Sequence, residues 1–440
     1  LSRPARQAIQ NFLLIWLDGN FNEKDADFKY SLQCLRQVVA SINTFKDIQE
    51  CIEFLDAIKK EKALMIVSGS MGRKVMPDIK DKPQLEAVYI FCGNKAANEE
   101  WTKTINKIKG VFTQIEPICE AIKEDRDSCD RNMIAVTFSG VDPLFMYTQL
   151  LKEAIIEIKD DDQKCIEEFA EFFRNERGFN GNDIQLIETE YHKHSPIWWY
   201  TTETFLYSTL NRALRLMESD ILIKMAFFIR HLHNRILILH EEQKAQKIIK
   251  STAFTVYRGQ GLDREIFKTM CKQGEKSGLM CFNNFLSTSE SRQISFKQFA
   301  QKAASDLSKP SSVGILFEMV IDPKICEQSN TPFVKIIGDE GFFQDKEAEI
   351  LFSTHTIFRI DLITPLENTA ANRLFEVKLT LVGNTDKEMR ELTKHVRKED
   401  ASSTGWNRLG KILIRVGHNK EAEQLYQILL KQASTDGDHA

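Results

Sequence analysis

Between residues 11 and 122 the chain returns repeatedly to short, continuous apolar runs separated by helical patterns. The runs are Asn11 to Trp16, a weak one at Ser41-Ile42-Asn43, Ala63 to Val67, Leu85 to Cys92, and a weaker one from Val111 to Ile115. Between them lie helical stretches at Tyr30–Val39, at Asp47–Lys60 with Ile48, Cys51, Ile52, Leu55 and Ile58 on one face, and at Ile118–Ile122. Asp47 suits the start of the second helix, as N-cap or in its first turn. Strands that are apolar throughout and alternate with helices imply a parallel sheet covered on both faces.

The spacing resembles the flavodoxin-like fold, and specifically the receiver domains of response regulators. The resemblance is one of layout. Only Asp18 follows the first strand, and Ser68 stands where the third ends, so the acidic cluster and phosphoacceptor Asp of a receiver are missing. Ser68-Gly69-Ser70-Met71-Gly72 lacks the Lys-Ser/Thr of a P-loop and reads as a plain loop. The expectation for 10–140 is a degenerate receiver-like α/β domain that docks a partner or regulates its neighbour.

The chain's 440 residues predict two or three domains, and 42% hydrophobic with 28% charged residues is ordinary for a globular protein. A net charge of −4 gives no reason to expect a nucleic-acid or anionic-membrane partner. No apolar run approaches the roughly 20 residues of a membrane span. The nine cysteines form no C-x-x-C pair, which fits free thiols in a reducing, cytoplasmic compartment rather than a zinc site or disulfide framework. His192/His194 and His231/His233 are spaced two apart and are expected at the surface or in loops, not as metal ligands. No signal peptide is visible, although a first residue other than methionine leaves a removed leader open.

From about 141 to 250 the pattern is helical. Tyr147–Ile158 carries Leu150, Leu151, Ala154, Ile155 and Ile158 at helical spacing, and Cys165–Arg174 is a second amphipathic helix. Ser195-Pro196 opens another, with the proline in its first turn. Trp198 and Trp199 are expected in the core rather than stacked on a base.

At 251 the period changes to short β-rich runs: Phe254–Arg258, Phe285–Ser289, Gly314–Ile321, Thr331–Ile337, Glu347–Phe352, His355–Leu362 and Phe375–Leu381, with a helix over Ser291–Leu307. Strands and helices segregated in sequence suggest α+β. The first run ends in Tyr257-Arg258-Gly259-Gln260, the second holds Ser287-Thr288-Ser289, and the fifth opens Glu347-Ala348-Glu349. Taken singly, a Glu-x-Glu is most often a solvated strand edge.

The ordered set of an arginine, a hydroxyl strand and a Glu-x-Glu, behind a helical stretch through Leu210-Asn211-Arg212-Ala213-Leu214-Arg215, resembles the arginine-serine-glutamate family of mono-ADP-ribosyltransferases. The resemblance covers about half the chain and implies a catalytic domain at 142–385, with a helical lobe at 142–250 and catalytic strands at 251–382. It implies NAD as co-substrate, a protein arginine as acceptor, and no metal. It also assigns roles. Glu349 would stabilise the oxocarbenium-like ribose as nicotinamide leaves. Arg258 would hold a pyrophosphate oxygen, and the Gly259 backbone would meet the nicotinamide carboxamide. Ser287 would bond the ribose or the neighbouring carboxylate, with Thr288 and Ser289 supporting the strand. Glu347 would pair with the acceptor guanidinium. Gly338-Asp339-Glu340-Gly341-Phe342-Phe343 matches the acceptor-contacting turn of the family.

Beyond a charged stretch over Asp386–Asp400, Trp406, Leu409, Gly410, Gly417, Ala422 and Tyr426 stand at the spacings of a tetratricopeptide repeat. One helical hairpin at 402–436 cannot bury its face alone. Either further repeats follow residue 440, or the pair docks on the catalytic domain, where it would offer a docking place to the acceptor. The sequence thus predicts a multidomain chain: an α/β flavodoxin- or receiver-like domain, an α+β ADP-ribosyltransferase domain and an α-helical tail. The competing functions are an NAD glycohydrolase on the same scaffold and a catalytically silent, repeat-bearing scaffold.

Overall fold

The computed structural model describes residues 12–430 except 22–24, 37, 40–41, 59–60, 133–135, 141, 143, 159–161, 176–180, 203–204, 217, 307–311, 330, 342–348, 367–372, 384–385, 389–404, 416, 418, 421, 424 and 428–429. The chain divides into two compact units. One takes Leu1–Met133, Ala170–Leu186 and Asp306–Ser311; the other takes Ile134–Phe169, Ile187–Ser305 and Ser312–Ala440.

In the first unit, β1 (Phe12–Leu17), β2 (Ile42–Phe45), β3 (Lys62–Ser68), β4 (Leu85–Phe91) and β5 (Ile108–Phe112) alternate with α1 (Ala26–Arg36), α2 (Ile48–Ala57), α3 (Gly69–Ile79), α4 (Ala96–Thr102) and α5 (Ile115–Asn132). The strands pair in parallel in the order β2-β1-β3-β4-β5, the flavodoxin-like order. The continuous apolar runs explain this. Leu13, Ile15 and Leu17 of β1 join a cluster with Cys51, Leu55, Val75 and Met76 of α2 and α3. Phe12, Leu14 and Trp16 join Leu35, Ile118 and Ile122 of α1 and α5 on the opposite face.

Asp47 caps α2 as expected, accepting from Gln49 N at 2.8 Å and Glu50 N at 3.0 Å. Two local expectations differ. The fifth strand lies three residues upstream of Val111–Ile115, because Ile115 already begins α5. Ser68–Gly72 is not a loop: Ser68 ends β3 and Gly69 begins α3. The small residues let the helix start directly on the sheet, where Gly72 faces Ile90 and Val67.

The second unit holds β6 (Val136–Phe138), then the helices α6 (Leu144–Glu157), α7 (Asp162–Asn175), α8 (Gly181–Glu190), α9 (Pro196–Thr201), α10 (Phe205–Leu216), α11 (Ser219–Lys224) and α12 (Ala226–Ala245), of which residues 170–175 of α7 and 181–186 of α8 fall in the first unit. Next come β7 (Phe254–Asp263), α13 (Arg264–Gly274), β8 (Leu279–Phe282) and β9 (Leu286–Ser289). Short α14 (Arg292–Ile294) continues through a π-helical stretch, Ser295–Gln301, into α15 (Lys302–Ser305). After these come β10 (Ser312–Ile321), α16 (Pro323–Ser329), β11 (Phe333–Lys335), β12 (Glu349–Phe352), β13 (Thr356–Pro365), β14 (Leu374–Leu381) and α17 (Gly405–Arg415).

Among the described residues the second sheet has nine strands, ordered β11-β12-β9-β7-β10-β14-β13-β8-β6. The β10/β14 pair is parallel and the other pairings are antiparallel. Alternation along β7 and β10 builds two layers. Val256, Leu262, Ile315, Phe317 and Met319 enter the main core. On the other face Leu316 packs with Ala300 and Phe296 of the helical side and with Tyr257 of β7. There the π-helical stretch lies close against the sheet: a Cβ on Gly259 would fall 1.7 Å from Ser295 O, and one on Gly314 2.0 Å from Ala300 O.

The apolar run Leu279–Phe282 was not among the expected strands, and Val136–Phe138, inside the range expected for the first domain, hydrogen-bonds to it in the second sheet. His233 is not a surface residue, and His231 is only partly exposed. Both stand on α12: His233 is 1% exposed and meets Ser353, while His231 is half-buried against Asp162 and Tyr191 of the lobe. Trp199 is buried, as a core aromatic should be. Helix α12 also covers the edge strand: Gln243 Nε2 donates to Lys335 O (2.7 Å), and Lys335 N donates to Gln243 Oε1 (3.0 Å).

At the C-terminus, α17 packs on α6, and Arg408 Nη1 reaches Glu157 Oε1 at 2.7 Å. Gly410 lies against the Tyr426 ring, so closely that a Cβ there would be 2.5 Å from it. Among the described residues no helix is long and apolar enough to cross a membrane.

Candidate active site

Three neighbouring strands, β7, β9 and β12, carry the residues singled out by the sequence. Arg258 is on β7, Ser287-Thr288-Ser289 is on β9, and Glu349 is the first residue of β12. The registers place Tyr257 opposite Ser289, Ser289 opposite Glu349, and Leu351 opposite Ser287. Residues directly opposite in an antiparallel pair share a face. Ser289 is therefore the immediate neighbour of Glu349, with Ser287 one pair further along the same face. Glu347 lies outside the described residues, as do Phe342 and Phe343.

The Arg258 guanidinium is held at two points. Nη1 donates to Ser287 O at 2.7 Å, and Nε donates to Gln260 Oε1 at 3.0 Å. Gln260 is two residues on, hence on the same face of β7. It is 2% exposed, and its Nε2 has no partner among the described residues. Sequence reasoning gave Gln260 no role; the period-two rule was the signal that could have found it.

Thr288 is buried and its hydroxyl donates to Ile350 O at 2.9 Å, which ties β9 to β12 in keeping with a strand-supporting role. At Gly259 the Ser295 carbonyl lies where a Cβ would stand, so close packing of the π-helical stretch requires glycine there. Ser289 Oγ accepts from Ser291 N at 3.0 Å and shapes the end of β9.

The helical lobe reaches this site through Tyr200. Its hydroxyl lies 2.9 Å from Phe285 O and 3.1 Å from Asn211 Oδ1, which also accepts from Asn284 Nδ2 at 2.8 Å. Burial holds the phenol well above its usual range, with Tyr207 adding to the effect; the Asn211 bond and the Arg258 charge oppose it, and the Glu349 charge adds to it. Tyr200 thus feels both Arg258 and Glu349 and stays a neutral hydrogen-bonding group.

Behind β12 lies a buried polar cluster. His233 Nδ1 is 2.7 Å from Ser353 Oγ. Thr354 Oγ1 donates to Asn283 O and lies 2.8 Å from His355 Nδ1. A hydroxyl already donating can only accept from His355, which puts the imidazole proton on Nδ1 and leaves Nε2 as an acceptor without a partner among the described residues. His355 also has φ +58°, an uncommon backbone region for a side chain of this size. Burial, reinforced by the Lys152 charge, lowers both His233 and His355 to about 3. Burial likewise lowers Lys152 to about 8. Both imidazoles are therefore neutral at pH 7.

The turn before β12 is fixed from the lobe. Ser195 Oγ, which also caps α9 by accepting from Trp198 N at 3.1 Å, donates to Glu340 O at 3.0 Å. Arg235 of α12 pairs with the Glu340 carboxylate through Nε (3.2 Å to Oε2) and Nη2. Among the described residues no group of three or more His, Cys, Asp or Glu side chains could hold a metal ion.

The sequence matches no protein-family model and no curated protein. Among solved structures, the chain is similar to the ADP-ribosyltransferase HopU1 of Pseudomonas syringae pv. Tomato DC3000, at 14% identity and a TM-score of 0.29, over 55% of this chain and 98% of that one. The Clostridium limosum C3 exoenzyme aligns at 13% identity and a TM-score of 0.28, over 42% of this chain and 82% of that one. The ADP-ribosyltransferase Vis, solved with agmatine, aligns at 17% identity and a TM-score of 0.23, over 52% and 90%. Likenesses of this size leave the chemistry to be argued from the chain's own residues.

Proposed function

We propose that the second unit is a mono-ADP-ribosyltransferase that moves ADP-ribose from NAD to an arginine side chain of a protein. The observation that carries the reading is the placement of Arg258, the Ser287/Ser289 pair and Glu349 on three adjacent strands, with Ser289 directly opposite Glu349. A carboxylate and a guanidinium held by main-chain and side-chain bonds suit a substrate that is anionic at its diphosphate and becomes cationic at its ribose. In the reaction, the bond between ribose C1′ and the nicotinamide nitrogen breaks. Its electron pair leaves with nicotinamide, and a guanidine nitrogen bonds C1′ while losing a proton. Glu349 offsets charge that exists only as that bond opens, and so acts on the transition state more than on bound NAD. Arg258, oriented by Gln260 and by Ser287 O, is the anchor for the diphosphate.

Arginine as the acceptor rests on Glu347, two residues before Glu349. Its carboxylate would pair with the guanidinium and help it lose a proton. Incubation with labelled NAD and a small guanidine acceptor, following nicotinamide release and acceptor labelling together, tests the whole reading. Label in the guanidine supports transfer. Nicotinamide release without label would make the chain a glycohydrolase, and neither product would make it a silent scaffold. In a Glu347→Gln variant, nicotinamide release should persist while guanidine labelling is lost; labelling at the parent rate would remove the acceptor assignment.

A further inference from the structure

The described part of the acceptor turn, Gly338–Gly341, leaves β11 and is gripped by Ser195, the cap of α9, and by Arg235 of α12. Gly338 has φ +63°, the left-handed region that glycine enters readily, and Gly338–Glu340 then forms a single 3-10 turn. At its end Glu340 is held twice, by Ser195 Oγ on its carbonyl and by the Arg235 guanidinium on its carboxylate. Gly341 follows against Ile336, and Ile336 N donates to Glu349 O at 2.9 Å. The turn is therefore fixed to the Glu349 strand on one side and to α9 and α12 on the other.

We infer that Arg235 and Ser195 are positioning residues for the acceptor: they set where the turn stands and so how well a guanidine is presented, while leaving cleavage of NAD untouched. The inference rests on the transferase reading above. A forked guanidinium–carboxylate contact fixes direction as well as distance, which a single ammonium contact does not. Arg235 is 32% and Glu340 25% exposed at the side chain, so solvent partly screens the pair and limits what it adds to global stability. Its consequence is geometric. Displacing a reacting group by about 1 Å can cost a hundredfold in rate, so a loosened turn lowers transfer long before it unfolds the unit. Among the described residues Arg235 and Ser195 bond to Glu340 and Trp198 rather than to Arg258 or Ser287, so the step that frees nicotinamide has no reason to change.

The test uses the full chain in three forms: parent, Arg235→Ala, and the charge swap Arg235→Glu with Glu340→Arg. Two readouts are taken, guanidine label per nicotinamide released and hydrogen exchange of the amides over 333–341. For Arg235→Ala the label ratio should fall about tenfold or more, with nicotinamide release in the absence of acceptor held within about twofold, and exchange in the turn should quicken. The swap should recover most of both. Unchanged exchange in Arg235→Ala overturns the clamp, whatever the activity. Faster exchange with a parent label ratio overturns its role in acceptor use. A parallel loss of nicotinamide release and labelling would make Arg235 a general structural residue and also overturn it. A parent chain that releases no nicotinamide refutes the transferase reading, and the acceptor part of the inference falls with it, while the exchange readout still decides whether the clamp exists.

Discussion

The parallel sheet of the first unit and the mixed sheet of the second differ in where they keep polar side chains. In the first, the central strands β1, β3 and β4 are apolar almost throughout, and polar groups wait at the strand ends. Asp18 there serves a local turn, accepting from Asn20 N at 3.0 Å, and Ser68 runs straight into a helix. In the second, charged and hydroxyl side chains sit within or at the start of neighbouring strands, and the sheet must satisfy them itself: Arg258 on Ser287 O and Gln260, Thr288 on Ile350 O. A buried polar group without a partner costs free energy, so such an arrangement persists only where other contacts determine it. The first unit has an architecture built on apolar packing; the second has one in which packing holds a polar site in place.

The comparison is broken most severely at Gly259. A Cβ there would overlap Ser295 O, a backbone atom that cannot step aside, so Gly259→Ala should cost ~3 kcal/mol or more in the second unit. Thermal unfolding should show the second unit's transition lowered and the first unit's unchanged. A variant that melts like the parent would mean that the sheet and the π-helical stretch do not touch as described.

Much of this contrast was legible in the sequence, for a physical reason. Continuous apolar runs and the change of period at 251 report burial on one or two faces, and that is what β1, β3, β4, β10 and β14 turned out to be. What stayed hidden depends on tertiary partners. Leu279–Phe282 is too short for periodicity to separate a strand from any other buried run. His233 reads as polar until the chain folds Ser353 and Lys152 around it. The close neighbour of Gly259 is Ser295, thirty-six residues later, with no pattern in the sequence linking the two. The order Arg258, Ser287, Glu349 was legible, but the pairing of Glu349 with Ser289 is a matter of register, which the sequence leaves open.

The second way to sharpen the contrast is acid. His233 and His355 stay neutral in the folded second unit down to about 3, whereas the unfolded chain protonates them near 6.5. Between those values the unfolded state binds more protons, so stability falls as the pH falls from 6.5 towards 3, by up to about 2.7 kcal/mol per pH unit for two protons. Replacing both with Gln should flatten that slope in denaturant titrations of the second unit. A slope that persists would locate the acid sensitivity elsewhere.

Lys152 acts at the other end of the scale. Its folded value near 8 lies below the usual 10.5, so the folded state sheds its proton first and stability rises as the pH climbs from 8 to 10.5. Lys152→Met should remove that rise and be neutral or stabilising by roughly 1–2 kcal/mol at pH 7. A clear destabilisation at pH 7 would show that the buried ammonium is held by bonds worth more than its desolvation.

The smallest expected effect is at Gln260. Gln260→Met keeps the volume but frees one side of the Arg258 guanidinium, and should lower kcat/KM for NAD by about tenfold, ~1.4 kcal/mol, through a raised KM. An unchanged KM would mean that Ser287 O alone fixes Arg258.

The central claim is that the carboxylate at the head of β12 drives the loss of nicotinamide, and the most direct measurement is the single-turnover rate of nicotinamide release from saturating NAD by the parent and by Glu349→Ala. The account predicts a fall of about a hundredfold or more, ~3 kcal/mol of transition-state stabilisation, with NAD still bound and with the loss equal in the presence and absence of a guanidine acceptor. Release by Glu349→Ala at the parent rate would contradict it.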